Sequence, residues 1–257
     1  MIAPMYDEDG ITIYCGDCRE VLDSIDSVDI TFSSPPYNIL SPRRPSGMMA
    51  ESNHKKLYGY DSIEDNLSEF EYTEFLQKVF GHCIAKSIGL CWINHKTRFV
   101  NRAGIHPLSI FPWEFEQEIV WNRNCSTMFN AKRFAVSHEF IYGFGKSHYW
   151  DDNANIQMTV WNIRPEYDIK SHPCPMPVEL ARRCIFASCP PGGIVLDPFM
   201  GSGTTLVAAK KEGRKAIGID VSEAYCKLAI KRLQQKQFDF ADDERRGVSG
   251  GSFNFEE

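Results

Sequence analysis

Two consecutive prolines, Pro35 and Pro36, follow an apolar run at residues 28–32 that has the length of a buried strand. Neither proline can donate a backbone N–H, and each restricts the residue before it, so neither a helix nor a sheet ladder can continue. The sequence therefore predicts a stiff turn at the carboxyl end of a strand, where open α/β sheets bind ligands. Ser34 and Tyr37 flank the prolines and add a hydroxyl and an aromatic face. An ordinary proline loop is the alternative for these four residues alone.

The composition fits one sizeable globular domain, because 43% of the 257 residues are hydrophobic and 24% are charged. We find no apolar run of membrane-spanning length and no signal-like N-terminus, and therefore expect no membrane association. The nine cysteines are an odd number without a disulfide framework, which favours reduced thiols in a cytoplasmic setting. The net charge of −6 argues only weakly against a nucleic-acid partner, since such an enzyme contacts nucleic acid with one face.

Strand-like and helix-like segments alternate along the chain, which predicts a mostly parallel α/β sheet. The predicted strands are 11–15, 28–32, 89–94, 118–121, 140–144, 159–163, 194–197 and 216–219. The predicted helices are 18–27, 68–87, 95–109, 177–188, 204–212 and 222–236. Residues 38–68 lose periodicity and are predicted to form a mobile flap, and residues 238–257 are predicted to be a disordered tail.

A glycine-rich turn at residues 197–204, with the sequence Asp-Pro-Phe-Met-Gly-Ser-Gly-Thr, joins a predicted strand to a predicted helix. The next strand ends in Asp220, seventeen residues after Gly203. Glycines allow a ligand to approach the backbone, and an acid at the end of the second strand binds ribose hydroxyls. The motif has only G-x-G rather than G-x-G-x-x-G, which weakens a nicotinamide interpretation. The sequence therefore predicts a pocket for another adenosine-containing cofactor.

Together these motifs resemble the amino-methylating DNA methyltransferases, which transfer a methyl group from S-adenosylmethionine to N4 of cytosine or N6 of adenine. The matching segments are Gly16-Asp17, Ser34-Pro35-Pro36-Tyr37, His172-Pro173 with Pro177, and Asp197 to Gly203 with Asp220. The catalytic motif precedes the cofactor motif, as in the β class of that family. Protein-glutamine and many RNA methyltransferases with a similar N-P-P-Y motif carry the cofactor loop first.

The resemblance implies an α/β fold with a circularly permuted, Rossmann-like class I methyltransferase sheet and helices on both faces. Residues 1–121 would form the catalytic half, 122–170 a small loop-rich target-recognition insertion, and 171–237 the cofactor-binding half of the same domain. Because the permutation places the third strand of the fold first in the chain, we expect the strand at 11–15 to pair beside the one at 216–219.

The resemblance also implies S-adenosylmethionine as cofactor and assigns roles to both motifs. Asp220 would hold the ribose, residues 197–203 would wrap the methionine side, and Asp17 would approach the adenine. The implied cofactor-binding residues are Asp17, Asp197, Pro198, Phe199, Gly201, Ser202, Gly203, Thr204 and Asp220. The implied catalytic residues are Ser34, Pro35, Pro36 and Tyr37, with Tyr37 stacking on a base rotated out of the duplex.

In this family Ser-Pro-Pro-Tyr usually accompanies cytosine-N4 methylation and Asp-Pro-Pro-Tyr adenine-N6 methylation. Ser34 therefore favours cytosine N4. Adenine N6 is the alternative activity, and an inactive DNA-binding relative is a third reading. The family implies a bacterial or phage-encoded protein. Double-stranded DNA is the expected partner, with a homodimer and a cognate restriction endonuclease as open possibilities.

Basic residues cluster in two segments that we expect to frame the proline turn and to contact DNA phosphates. They are Arg43, Arg44, Lys55 and Lys56 in the flap, and Arg123, Lys132 and Arg133 in the segment 122–137. Polar residues of 122–137 are the candidates for base reading. Cys15 and Cys18 form a lone C-x-x-C without a second pair at zinc spacing, so we expect no metal site.

Overall fold

The computed structural model describes residues 2–38, 67–124, 134–165 and 176–235. Its strands are β1 (Tyr6–Glu8), β2 (Ile11–Cys15), β3 (Ile30–Ser33), β4 (Cys91–His95), β5 (Arg98–Val100), β6 (Ala103–Ile105), β7 (Phe115–Asn122), β8 (His138–Phe144), β9 (Val160–Asn162), β10 (Ile194–Asp197) and β11 (Lys215–Asp220). Its α-helices are α1 (Cys18–Leu22), α2 (Glu69–Lys86), α3 (Val178–Ser188), α4 (Thr204–Lys211) and α5 (Glu223–Gln234). Short 3-10 helices lie at Pro107–Ser109 and Asp152–Ile156.

Nine of the strands in the described ranges form one sheet, in the order β1-β2-β11-β10-β3-β4-β8-β7-β9. The five strands from β2 to β4 in this order are mutually parallel, whereas β1 and β8 run antiparallel to their neighbours. Strand β2 pairs with β11 along its whole length, from Ile11 opposite Ala216 to Cys15 opposite Asp220. The predicted pairing of the early strand with the late one, and with it the permuted fold, is confirmed.

The parallel strands alternate their side chains between two helical layers. Ile13, Ile30 and Val195 belong to a core with α3, α4 and α5, and Ile93 and Leu196 belong to a second core with α1 and α2. Most side chains of these strands are buried, as expected when helices cover both faces of a parallel sheet. The predicted helices on both faces are confirmed.

Residues 95–109 do not form the predicted helix. They form the hairpin of β5 and β6, followed by the 3-10 helix at Pro107–Ser109. Asn101 and Arg102 adopt left-handed backbone conformations, with φ of 50° and 69°, and these turn the chain between the two strands. Such residues interrupt a right-handed helix, so local turn geometry overrides the weak helical spacing.

The predicted target-recognition segment, residues 122–170, is partly built into the sheet. Strand β8 lies between β4 and β7, and β9 pairs in parallel with the end of β7. We still predict that this segment recognises target bases, through the loops that connect its strands.

Residues 39–66 of the predicted flap, the tail after residue 235, and the segment with His172, Pro173 and Cys174 lie outside the described residues. The seven cysteines that the structure describes are free thiols. Among the described helices, none is both long and apolar enough to cross a membrane.

Candidate active site

The proline turn and the glycine turn leave the same edge of the sheet from adjacent strands. β3 and β10 pair in parallel, with Ile30 opposite Val195 and Thr31 opposite Leu196. At their carboxyl ends the Ser33 hydroxyl donates to Asp197 Oδ1 across 2.7 Å. The proline turn follows Ser33 directly, and the glycine turn begins at Asp197. Two motifs that are 164 residues apart in sequence therefore form one continuous surface. The adjacency that the sequence predicts for the two turns is confirmed.

The Asp197 carboxylate accepts three hydrogen bonds, and the one from Ser33 joins the two turns. Besides Ser33, its carboxylate accepts from Thr205 Oγ1 at 2.6 Å and from the Phe199 N–H at 3.0 Å. Burial raises the pKa of Asp197 to about 6, while the bonds from Thr205, Ser33 and Phe199 oppose this rise. Because its oxygens face neighbouring residues, this side chain fixes the shape of the turns.

The glycine turn needs its glycines for two different physical reasons. Gly201 and Gly203 have φ of +50° and +80°, which side-chain-bearing residues rarely adopt. A Cβ on Gly203 would lie 2.7 Å from Ala229 Cβ, so this glycine allows close packing of α5. A Cβ on Gly201 would meet no atom within 4 Å, so the backbone there faces open space. Gly201 is therefore the point at which a ligand can approach the main chain.

Asp220 ends β11 beside the glycine turn. Its carboxylate accepts from the Gly201 N–H at 3.0 Å and from the Ser222 N–H at 2.8 Å. Burial raises the pKa of Asp220 to about 6, and the same two backbone bonds counteract the effect. The Gly16 N–H donates to the Asp220 carbonyl at 3.0 Å, which brings Asp17 to the same edge of the sheet.

Several predicted cofactor residues turn their side chains into the protein. Arg232 of α5 donates to the hydroxyls of Ser202 and Thr204, at 2.9 and 3.3 Å. The Phe199 ring packs edge-on against Phe75 of α2, with a centroid distance of 5.8 Å. Pro198 is buried. These side chains therefore shape the turn, and the groups of the turn that remain available to a ligand are backbone groups.

Asp17 caps helix α1 and is paired with Arg19. Its carboxylate accepts from the Arg19 N–H at 2.8 Å and from the Arg19 side chain at 2.9 and 3.0 Å. The side-chain bond from Arg19 lowers the pKa of Asp17. An open cavity of about 450 Å³, lined in part by Arg19 and Phe75, lies between α1 and α2.

The proline turn is held by hydrogen bonds from neighbouring strands. Ser34 Oγ lies 2.9 Å from Tyr37 Oη, and Asn94 Oδ1 lies 3.3 Å from Ser34 Oγ. Tyr37 Oη also lies 3.3 Å from Glu139 Oε2. Sequence reasoning missed Asn94 and Glu139, although a polar residue at the end of the buried strand β4 is a signal that could have pointed to Asn94.

A buried chain of polar groups supports the far side of the proline turn. Tyr72 of α2 donates to the Pro36 carbonyl at 2.7 Å, and His95 Nε2 lies 2.9 Å from the same hydroxyl. Burial lowers the pKa of His95 to about 3, so this imidazole is neutral at physiological pH. The edge of the His95 ring packs against Tyr37, and Lys96 Nζ lies 4.3 Å from the Tyr37 centroid.

Comparison with known proteins assigns the family. The family model described as DNA methylase, of the N6/N4 methyltransferase type, matches residues 28–231. The chain belongs to this family. This DNA amino-methyltransferase is 29% identical to the Type II methyltransferase M.HinfI of Haemophilus influenzae over 251 residues, which cover 87% of this chain and 68% of that enzyme. It is 28% identical to M.SmaI of Serratia marcescens over 279 residues, which cover 88% and 91% of the two chains.

Solved structures share the fold of the methyltransferase. The PvuII cytosine-N4-specific DNA methyltransferase superposes with a TM-score of 0.70 at 18% identity, covering 95% of this chain and 94% of its own. The M1.HpyAVI–SAM complex superposes with a TM-score of 0.58 at 23% identity, covering 87% and 100%. The sheet is therefore that of the class I methyltransferases, and the cofactor of this enzyme is S-adenosylmethionine.

The residues at the edge of the sheet fit that cofactor. The open space beside Gly201 leaves room against the backbone, and Asp220 provides an acidic group at the end of the second strand of the cofactor half. S-adenosylmethionine carries ribose hydroxyls that a carboxylate can accept from. The space at Gly201 and the acid at residue 220 are thus compatible with an adenosine-containing cofactor.

Arg123 of the methyltransferase forms an ion pair with Glu139 of β8. Its guanidinium donates to Glu139 Oε1 at 3.1 Å and to the Val136 carbonyl at 3.2 Å, and its side chain is 17% exposed. This ion pair supports the proline turn from below, and the expected contact of Arg123 with a DNA phosphate stays a prediction. The other predicted DNA-contacting residues lie outside the described ranges: Arg43, Arg44, Lys55, Lys56, Lys132 and Arg133.

Proposed function

We propose that the enzyme methylates the exocyclic N4 amine of cytosine, on a base rotated out of double-stranded DNA. The observation that carries the proposal is the Ser33–Asp197 hydrogen bond of 2.7 Å, since it joins the Ser34 turn to the glycine turn. The neutral Ser34 in the first position of the motif supports cytosine over adenine. The cytosine-N4-specific PvuII enzyme, with its TM-score of 0.70, supports the same choice.

The chemistry needs the amine to become a better nucleophile. The lone pair of the amine nitrogen is delocalised into the base. Ser34 Oγ and the Pro35 carbonyl would accept hydrogen bonds from the amine N–H groups and so localise the lone pair on the nitrogen. S-adenosylmethionine supplies a methyl group on a positively charged sulfur. The nitrogen forms its new bond to carbon as the sulfur–carbon bond breaks, and a proton then leaves the nitrogen. No covalent enzyme intermediate is required, so positioning and hydrogen bonding carry the catalysis.

For the remaining residues we propose the roles that the family resemblance implies. Tyr37 stacks on the extruded base and offsets an unstacking cost of about a few kcal/mol. Asp220 accepts from the ribose hydroxyls, the backbone at Gly201 lies along the cofactor, and Asp17 approaches the adenine through the start of α1. Loops within residues 122–170 read the target sequence.

Nucleoside mass spectrometry tests the proposal. Duplex DNA is incubated with the enzyme and S-adenosylmethionine, digested and analysed for methylated nucleosides. We expect N4-methylcytosine. N6-methyladenine would instead support the alternative amine, and the absence of any methylated nucleoside would support an inactive relative.

The variant Ser34→Ala tests the assigned role of the hydroxyl. We expect turnover to fall about 100- to 1,000-fold, as when one transition-state hydrogen bond is removed, with cofactor affinity unchanged. Equal losses of turnover and cofactor affinity would contradict the role.

The Type II relatives support a restriction–modification setting with a cognate endonuclease. A homodimer stays a prediction that sedimentation can test.

A further inference from the structure

We propose that Glu139 is a positioning residue that sets the direction of the hydrogen bonds beneath Ser34 and so keeps Ser34 Oγ an acceptor towards the target amine. The proposal rests on the role proposed for Ser34 and applies equally to cytosine N4 and adenine N6.

Glu139 is a buried carboxylate between a cation and the catalytic turn. It is 5% exposed, and its Oε1 accepts from Arg123 Nη1 at 3.1 Å. Its other oxygen, Oε2, lies 3.3 Å from Tyr37 Oη. A carboxylate paired with a guanidinium can only accept hydrogen bonds, so the Tyr37 hydroxyl must be the donor in this contact.

That direction propagates to Ser34. With its single proton directed at Glu139, the Tyr37 oxygen accepts from Ser34 across their 2.9 Å contact. The second inward partner of Ser34 is also an acceptor, because Asn94 donates through Nδ2 to the Phe140 carbonyl at 3.1 Å and so presents Oδ1 to Ser34. Ser34 therefore directs its single proton inward, to Tyr37 Oη or to Asn94 Oδ1, and the lone pairs of Oγ are left to accept an amine N–H.

Loss of the carboxylate would remove this bias. The Tyr37 hydroxyl could then donate to Ser34 Oγ, and Asn94 Oδ1 would be left to take the Ser34 proton. Oγ would then offer the substrate amine one lone pair fewer, at a site where the proposed chemistry needs an acceptor. A purely structural Glu139 would act only by neutralising the buried Arg123, and experiment can separate these two roles.

The primary test is Glu139→Gln, which keeps the shape of the side chain but gives it an amide donor. We expect the kcat for methyl transfer to fall at least about tenfold, with unchanged cofactor affinity and unchanged KM for DNA. Glu118→Gln is the control, because the exposed Glu118 of β7 also accepts from a tyrosine, Tyr142 of β8 at 2.8 Å, and makes no hydrogen bond to Ser34 or Tyr37 within the described ranges. We expect that variant to retain the wild-type kcat.

A double-mutant cycle with Tyr37→Phe decides whether Glu139 sets the direction of the hydrogen bonds to Ser34 or only neutralises the buried Arg123. Phenylalanine keeps the ring but removes the hydroxyl that transmits direction, so Glu139→Gln should have little further effect on kcat in that background. Equal effects of Glu139→Gln in both backgrounds would overturn the proposal. If Glu139→Gln does not fold, the same cycle is run with Arg123→Gln added, which removes the unpaired buried charge.

The outcomes separate this proposal from the proposed function. An inactive wild-type enzyme would refute the function itself. An active wild type whose kcat is unchanged by Glu139→Gln would overturn the positioning role alone.

Discussion

The charge of Asp220 should control cofactor affinity between pH 5 and 7. Its carboxylate is buried, and burial raises its pKa to about 6 despite the bonds from Gly201 and Ser222. The ionised form accepts from ribose hydroxyls more strongly than the protonated form. Cofactor binding should therefore be strongest above the pKa and should weaken as the pH falls through it.

The pKa sets the size of this effect. If only the ionised carboxylate binds, the dissociation constant rises about tenfold between pH 7 and pH 5, equivalent to about 1.4 kcal/mol. Asp220→Asn loses bonds to a charged acceptor, each worth about 1.5–3 kcal/mol, and should bind the cofactor weakly at every pH. Asp197 also has its pKa raised to about 6, so any pH dependence left in Asp220→Asn is assigned to Asp197.

Isothermal titration calorimetry of S-adenosylmethionine at half-unit steps from pH 5 to pH 8 measures the effect. Asp7→Asn serves as control, because Asp7 is an exposed residue of β1 whose hydroxyl partner is Thr12. We expect the control to follow the wild-type curve. An affinity that stays constant across this range in the wild type, or a curve unchanged by Asp220→Asn, would refute the reasoning.

Three further predictions concern the turns. Ser33→Ala removes a hydrogen bond to the Asp197 carboxylate and should lower the free energy of unfolding by about 1.5–3 kcal/mol, measured by urea denaturation. Gly203→Ala should destabilise the fold more than Gly213→Ala, since both glycines have positive φ but only Gly203 would contact Ala229. Because burial raises the pKa of Asp197, its ionisation costs stability as the pH rises from about 4 to about 6. Asp197→Asn should therefore gain stability relative to the wild type over that range, by up to about 3 kcal/mol, and a constant difference would contradict this sign.

The sequence predicts the framework of the site because the signals are local. A proline pair after one buried strand and a glycine turn after another place both motifs at carboxyl ends of parallel strands, and such ends share one edge. Asp220 follows from the same rule. The pairing of β2 with β11 follows from the order of the motifs along the chain.

The residues that support the proline turn come together through strand pairings between distant parts of the chain, and no local sequence pattern shows these pairings. Glu139 meets Tyr37 across 102 residues, through the antiparallel pairing of β8 with β4. From the sequence alone Arg123 reads as a loop cation, and it is the pairing of β7 with β8 that brings Glu139 to it. The left-handed Asn101 shows the same limit at a smaller scale, since its φ of 50° ends a helical pattern that spacing alone favours.

A structure of the enzyme with target DNA and a non-reactive analogue of S-adenosylmethionine would show where the target amine lies relative to Ser34 and the cofactor. We expect an extruded cytosine with its N4 about 3–3.5 Å from the position of the transferable methyl group. We also expect Ser34 Oγ to accept a hydrogen bond from that amine while Glu139 accepts from Tyr37. A base whose amine lies away from Ser34, or a cofactor bound away from Gly201 and Asp220, would contradict the proposed function.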